Sequence, residues 1–199
     1  MHLNEVRICY ADTFLQLPGE RDMQPQVPID VDPQTGVWST NGLPMLYVPR
    51  HFFVNNHRAV ETVLGQDEYA QILYDAGYRS AYFWCDSESK THGLQGMPVF
   101  EHYLNRLSQR GWGQFSFIDA NEETGHAHIR LDNSAFVLAQ GVAGIPKTDN
   151  KACYMFAGWF AGAMDWVGEH TGRDYRTVST ETQCAGEGFD HCVFTVEPK

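Results

Sequence analysis

The sequence predicts an α+β domain: an antiparallel sheet with helices packed mainly on one side. Three observations carry that expectation. The β-prone runs GWGQFSFID, HAHIRLD and SAFVLAQG follow one another across the breaks NEETG and Asp132-Asn133, the pattern of an antiparallel meander. Two further runs, RTVST and CVFTV, flank the glycine-containing stretch AGEGFDH and read as a closing hairpin. Between and before them, long segments carry apolar residues at helical spacing, or nearly all round.

Size and charge bound the function. A chain of 199 residues with 43% hydrophobic content suits one domain with a real core. A net charge of −11 argues against non-specific nucleic-acid binding, and no nucleic-acid partner is expected. The sequence carries no helix-turn-helix signal, P-loop or GxGxxG. MHLNEVRICYADTF has no apolar run after a basic start, so no secretory signal is expected. Five cysteines are an odd number without a dense framework, which points to a reducing cytoplasm. The most apolar segment, Ala152 to Gly168, contains Asp165 and is short for a membrane span.

Residues 1–41 read as an extended N-terminal arm rich in Pro, Gly and Asp, and residues 42–199 as the domain proper. Within the arm, VPIDV and VWST form a short strand pair around the DPQTG turn. Cys9 and Tyr10 receive no role. A first helix spans Arg50 to Leu64, with Phe52, Phe53, Val60, Val63 and Leu64 as core candidates and Gly65 as its stop. Asp67 caps the next helix, whose inward stripe is Tyr69, Ile72, Leu73 and Ala76. It runs through Gly77 to Cys85, and Tyr78, Tyr82, Phe83 and Trp84 line either a pocket or the core.

After the loop THGLQGMP, the helix PVFEHYLNRLSQR sets Val99, Phe100, Tyr103, Leu104 and Leu107 on one side. His102 falls opposite, with Asn105 and Arg106, as a solvated histidine. His126 and His128 share a strand face as surface histidines. The last helix, within KTDNKACYMFAGWFAGAMDWVGEHTGR, is apolar nearly all round and should be buried on most sides. Gly158 and Gly162 permit close backbone approach, and Gly172 closes the helix. Trp159, Met164 and Trp166 serve core or pocket.

The closing hairpin carries chemistry. Glu181, Cys184 and Cys192 follow E-x2-C-x7-C. The odd spacing forbids Glu181 and Cys184 a shared strand face, so Cys184 belongs just past the strand end. Three ligands leave a tetrahedral zinc one short. Cys153, near a helix N-terminus that favours thiolates, is the leading fourth candidate, and His191 is the alternative. Three thiolates, a carboxylate and a divalent ion sum to about −2, which Lys147 and Lys151 are placed to offset. The spacing alone is equally compatible with ordinary buried thiols.

GWFAGAMDWVGEHTGR followed by ETQCAGEGFDHCVFTV resembles the C-terminal part of the 4-vinyl reductase domain. That domain also forms the effector-binding part of phenol- and xylene-responsive activators, and shares the ligand-binding fold of NO-signalling and Golgi-transport proteins. The resemblance covers roughly Leu43 to Val196. It implies a zinc held by Cys153, Glu181, Cys184 and Cys192, stapling the C-terminal hairpin, with an insertion near Val167–His170. It also implies a pocket in which His102 (or the adjacent Glu101) meets the ligand and Leu131 replaces an aromatic contact, so phenol itself is not the expected ligand. Tyr78, Trp84, Phe136 and Trp159 complete the candidate ligand-binding set.

Three functions follow as expectations. The first is a non-catalytic domain binding a small apolar or aromatic molecule, with structural zinc and a homodimeric state. The second is an accessory subunit docking on a flavin or iron–sulfur oxidoreductase: NGLPMLYVPRHFFVNNH, FEHYLNRLSQRGWG and AGWFAGAMD resemble a stand-alone branch associated with bacterial demethylation of dimethylglycine and related betaines. The third is a vinyl reductase, for which the chain shows no redox-cofactor motif.

Overall fold

A computed structural model describes residues 27–142 and 151–199. Cys9, Tyr10 and the arm up to residue 26, together with Lys147, lie outside the described residues.

The described chain opens with a three-stranded antiparallel sheet: β1 (Asp30–Val31), β2 (Trp38–Thr40) and β3 (Leu43–Met45). The β1–β2 turn is held by Asp32, whose carboxylate accepts the Gln34 N–H at 2.8 Å and the Thr35 hydroxyl at 2.6 Å. The predicted strand pair is therefore present. A third strand joins it because Asn41 (φ 51°) and Gly42 (φ 78°) both adopt positive φ, the requirement of a tight two-residue hairpin turn.

Helix α1 (Arg50–Leu64) has the predicted bounds but turns a different face inward. Val54 and His57 are buried, whereas Phe52, Val60, Val63 and Leu64 are exposed and Phe53 is half-buried. The helix bears two apolar stripes. The one containing Val54 and His57 faces α4 (Ala135–Val142) and α2 (Gln66–His92), so the richer stripe is left on the surface.

Helix α2 (Gln66–His92) starts directly after Gly65 (φ 83°), so Asp67 lies in its first turn and is not the cap. There, with Glu68, it still favours the positive helix end. The inward face is Gly77, Ala81 and Cys85, while Ile72 and Ala76 are exposed and Tyr69 and Leu73 half-buried. α2 lies against α5 (Phe156–His170) at very short range. A Cβ at Gly158 would overlap the Tyr74 carbonyl, and one at Gly162 the Tyr78 carbonyl. Helix α3 (Met97–Gln109) buries all five predicted residues, Val99, Phe100, Tyr103, Leu104 and Leu107.

Strands β4 (Gln114–Asn121) and β5 (His126–Asp132) pair antiparallel as expected. The third predicted strand is instead a helix, α4 (Ala135–Val142). Asn133 (φ 54°) turns the chain out of the sheet, and the Ser134 hydroxyl accepts the Phe136 N–H at 3.3 Å. Serine at such a position starts helices, and Ala135, Leu138 and Ala139 propagate them. The neighbour of β5 is therefore not the next segment but β7 (Cys192–Pro198), in a sheet of order β4-β5-β7-β6, with β6 spanning Thr177–Gln183.

One face of that sheet is covered. Phe115, Ala127, Ile129, Leu131, Phe194 and Val196 point into a core shared with Phe100, Phe156 and Phe160, while Ile118, Thr180 and Thr182 face outward. Asp165 is buried within α5 but fully partnered. It accepts from the Tyr78 hydroxyl at 2.7 Å, and from the Thr177 N–H and hydroxyl at 2.7 and 2.8 Å. Among the described residues no helix is long and apolar enough to cross a membrane.

Candidate metal centre

β6 and β7 pair in register up to Glu181, which faces Phe194, and a bulge follows before Gln183. Cys184 then leaves the strand in an extended conformation (φ −129°, ψ 134°) and heads the short 3-10 turn Ala185–Glu187. The Glu187 carboxylate accepts the Cys184 N–H at 3.0 Å, and Gly188 (φ 105°) completes the reversal. A bulge re-aims side chains. It lets Glu181 and Cys184 converge despite their odd spacing. Cys192 begins β7 opposite Leu131.

Cys153 reaches the group from the other side, three residues ahead of α5. Its own N–H donates to Glu181 Oε2 at 3.0 Å, and its Sγ lies 2.9 Å from the Ser134 hydroxyl. Cys153, Glu181, Cys184 and Cys192 are all buried, and their donor atoms lie within 4.8 Å of one another. The Cys192 sulfur is 3.6 Å from that of Cys153 and 4.0 Å from that of Cys184. Thiolates on a tetrahedral ion with ~2.3 Å bonds stand about 3.8 Å apart. Glu181 Oε1 is buried without a hydrogen-bond partner, a costly arrangement unless something else meets it. The donor set and spacing thus fit a divalent, thiophilic ion. His191 is not part of the group; its carbonyl accepts from Gln183.

The surroundings favour negative sulfur. Ala152 and Gly186 N–H groups donate to Cys184 Sγ at 3.3 Å, and the Ala185 N–H donates to Cys192 Sγ at 3.3 Å. Backbone amides therefore carry out part of the role assigned to Lys151. Hydrogen bonds from the Cys153 and Cys192 thiols hold the Cys184 thiol far below its ordinary range. Burial pushes the Cys153 thiol well up. Burial, with the Cys184 charge beside it, lifts Glu181 to about 10. Negative charge in the group is thus favoured on Cys184. A bound cation displaces the remaining protons.

The candidate ligand residues lie elsewhere. Trp84, Tyr103, Trp159, Phe156 and Phe136 form one chain of aromatic contacts, with successive ring separations of 4.8, 6.4, 5.2 and 5.6 Å. Leu131 is buried beside it, opposite Phe115. Tyr78 is turned away toward Asp165. His102 is half-buried rather than solvated: its ring stacks on Trp84 and its Nε2 meets Glu88. Phe53 and Trp112 separate this aromatic layer from an apolar pocket of about 250 Å³, lined also by Met45, Leu46, Val48 and Arg110.

Sequence reasoning passed over several of these participants. Ser134 carried no motif, and Met45, Leu46 and Val48 lie in the NGLPMLYVPRHFFVNNH stretch without any signal of a pocket role. Glu88 and His92 did carry a readable signal, an i,i+4 pair of metal-capable side chains on a helix. Buried His57 was hidden because polar residues are not sought on an inward stripe.

Fold and site define a class: an α+β domain of the 4-vinyl reductase-like fold with a buried Cys/Glu/Cys/Cys group able to hold a metal. More particularly, the chain is similar to the phenol-responsive sensory domain of the transcription activator PoxR, solved with phenol. The TM-score is 0.69 at 14% identity, over 85% of this chain and 84% of that one. A vinyl-4-reductase family protein from Methanocaldococcus jannaschii matches at TM-score 0.52 and 16% identity, over 78% of this chain and 84% of that one. A trafficking protein particle complex subunit 3 from Naegleria fowleri, covalently bound to palmitic acid, matches at 0.50 and 13%, over 75% of this chain and 95% of that one. The family model described as "Domain of unknown function (DUF5943)" matches residues 23–118. No curated protein matches in sequence.

Proposed function

We propose that this chain is a small-molecule-binding domain braced by a structural zinc ion on Cys153, Glu181, Cys184 and Cys192. The observation that carries the reading is the buried four-donor cluster with tetrahedral sulfur spacing. Four protein ligands close the coordination shell, the mark of a structural rather than catalytic zinc. The ion would tie the approach to α5 to both strands of the closing hairpin.

The ligand is a small apolar or aromatic molecule. It enters at the apolar pocket beside Phe53 and Trp112; behind those two rings lie Phe136 and Trp159, then Trp84 and His102 farther along the aromatic layer, with Leu131 beside it, while Tyr78 on α2 is turned toward Asp165. Likeness in fold to a phenol-sensing domain supports this class of ligand. The test pairs metal analysis of the purified protein with a thermal-shift screen of phenols, indoles and methylated amines. Stoichiometric zinc and a saturable rise in Tm are expected. Zinc-free folded protein would remove the structural role, and a flat screen would remove the binding role.

A second reading is favoured by one observation. Leu46, Tyr47 and Phe52 are 87%, 83% and 57% exposed, and large apolar side chains left open together mark interaction surfaces. Such a surface suits a protein partner, either a second copy or a flavin or iron–sulfur oxidoreductase. Native mass spectrometry after purification from the source cell distinguishes the two, and a monomer at high concentration argues against both.

A further inference from the structure

Glu88, His92 and His102 form a second donor cluster, separate from the thiol group and outside the lining of the apolar pocket. Glu88 and His92 are four residues apart on α2, so they share a helix face. Gly93 (φ 65°) and Gly96 (φ 62°) reverse the chain, and α3 returns His102 to that face. The two imidazoles converge on one carboxylate oxygen: Glu88 Oε2 is 3.2 Å from His92 Nε2 and 2.9 Å from His102 Nε2. All three donor atoms lie within 4.8 Å of one another. Adjacent nitrogen and oxygen donors on a first-row ion with bonds of ~2.0–2.1 Å stand about 2.9–3.4 Å apart. The cluster is therefore already close to a coordinating geometry.

The setting supports it. Trp84 stacks on the His102 ring at 5.7 Å and limits its rotation. The cluster sits at the last turn of α2, where unpaired carbonyls favour a cation. Glu88 and His102 are largely sheltered at 16% and 26% exposure, while His92 at 41% leaves one side open to solvent. One charge opposes: the Arg110 guanidinium, packed on the same Trp84 ring, also draws on the Glu88 carboxylate.

We propose that Glu88, His92 and His102 bind a divalent first-row transition ion such as Zn²⁺, Ni²⁺ or Co²⁺, with the remaining coordination positions open. The donors are imidazole and carboxylate, so the ion's water stays exchangeable and an external ligand can reach it. This differs from the closed thiolate centre in both donor chemistry and access.

The test uses the full chain with its thiolate centre as purified. Co²⁺ is titrated in and followed by calorimetry and visible absorption. The expected result is uptake of one additional ion with weak d–d bands and no intense sulfur-to-cobalt charge transfer. His92→Gln and His102→Gln each weaken that uptake roughly a hundredfold, the upper end of what even an outer-shell change costs, and Arg110→Gln strengthens it. Circular dichroism verifies folding of each variant. If a histidine variant does not fold, Glu88→Gln, which keeps the side chain's shape, supplies the same measurement. Uptake accounted for entirely by thiolate bands overturns the proposal. So does uptake that survives in the His92→Gln/His102→Gln double variant, which would place the ion elsewhere, as at His126 and His128.

Discussion

Cys184 is where the thiol group favours negative charge, because two backbone amides donate to its sulfur and the Cys192 sulfur lies 4.0 Å away. Cys184→Ser should abolish bound metal and lower stability by at least ~3 kcal/mol, since a structural zinc contributes of order 10–16 kcal/mol to folding in small domains. Metal analysis and urea titration measure the two effects. His57 supports a different prediction. Its ring lies among Tyr69, Phe136 and Tyr154, with Nδ1 buried and unpartnered. Burial depresses its pKa below the ordinary 6.5, and the attraction of Glu61 does not offset it. A depressed imidazole binds its proton more weakly folded than unfolded. Stability is therefore full above 6.5 and falls as pH drops below it toward the folded value. His57→Phe should flatten that fall in a denaturation series across pH, and an unchanged slope would assign the acid sensitivity to other groups. At this scale the metal-capable residues were legible because cysteines are few and E-x2-C-x7-C is compact. Glu181 Oε1 and the Ser134 contact were not, since both depend on a bulge and a helix start that no spacing records.

α2 and α5 cross at very short range because Gly158 and Gly162 lack side chains. Gly158→Ala must push two helices apart, and an overpacked core typically costs ~1–3 kcal/mol. Gly158→Ala should therefore lower Tm by several degrees, without changing zinc content, because the ligands lie on loops and strands beyond the crossing. Loss of zinc together with stability would instead tie the site to helix spacing. On α3, with one apolar stripe, periodicity finds all five buried apolar residues, but Arg106, expected on the opposite side, is buried as well. α1 has two stripes, and periodicity cannot say which a neighbour will cover. SAFVLAQG was read as a strand from Phe136 and Val137, but a serine start and alanine spacing outweighed them.

For the whole molecule, the closing hairpin joins what the helical layer would otherwise leave loose. Chelation of the metal should lower Tm strongly, while a ligand at a hundred times its Kd should raise stability by about 2.7 kcal/mol. Trp112→Ala should reduce that ligand-induced shift and leave metal content intact, with scanning calorimetry and metal analysis reading each. The layer arrangement was legible because both hairpin runs and both long helices were. Strand order was not: local patterning suggests that neighbours in sequence pair, and α4 prevents it.

That order has a temporal consequence. As the chain leaves the ribosome, β5 and β6 emerge with facing edges and nothing between them, because their shared partner, β7, is made last of the three. Until Cys192 arrives, two open strand edges and three unsatisfied metal donors coexist on one nascent chain. Such edges invite pairing with other chains. Expression at lower temperature with zinc in the medium should therefore favour soluble protein, through the order of synthesis rather than through final stability.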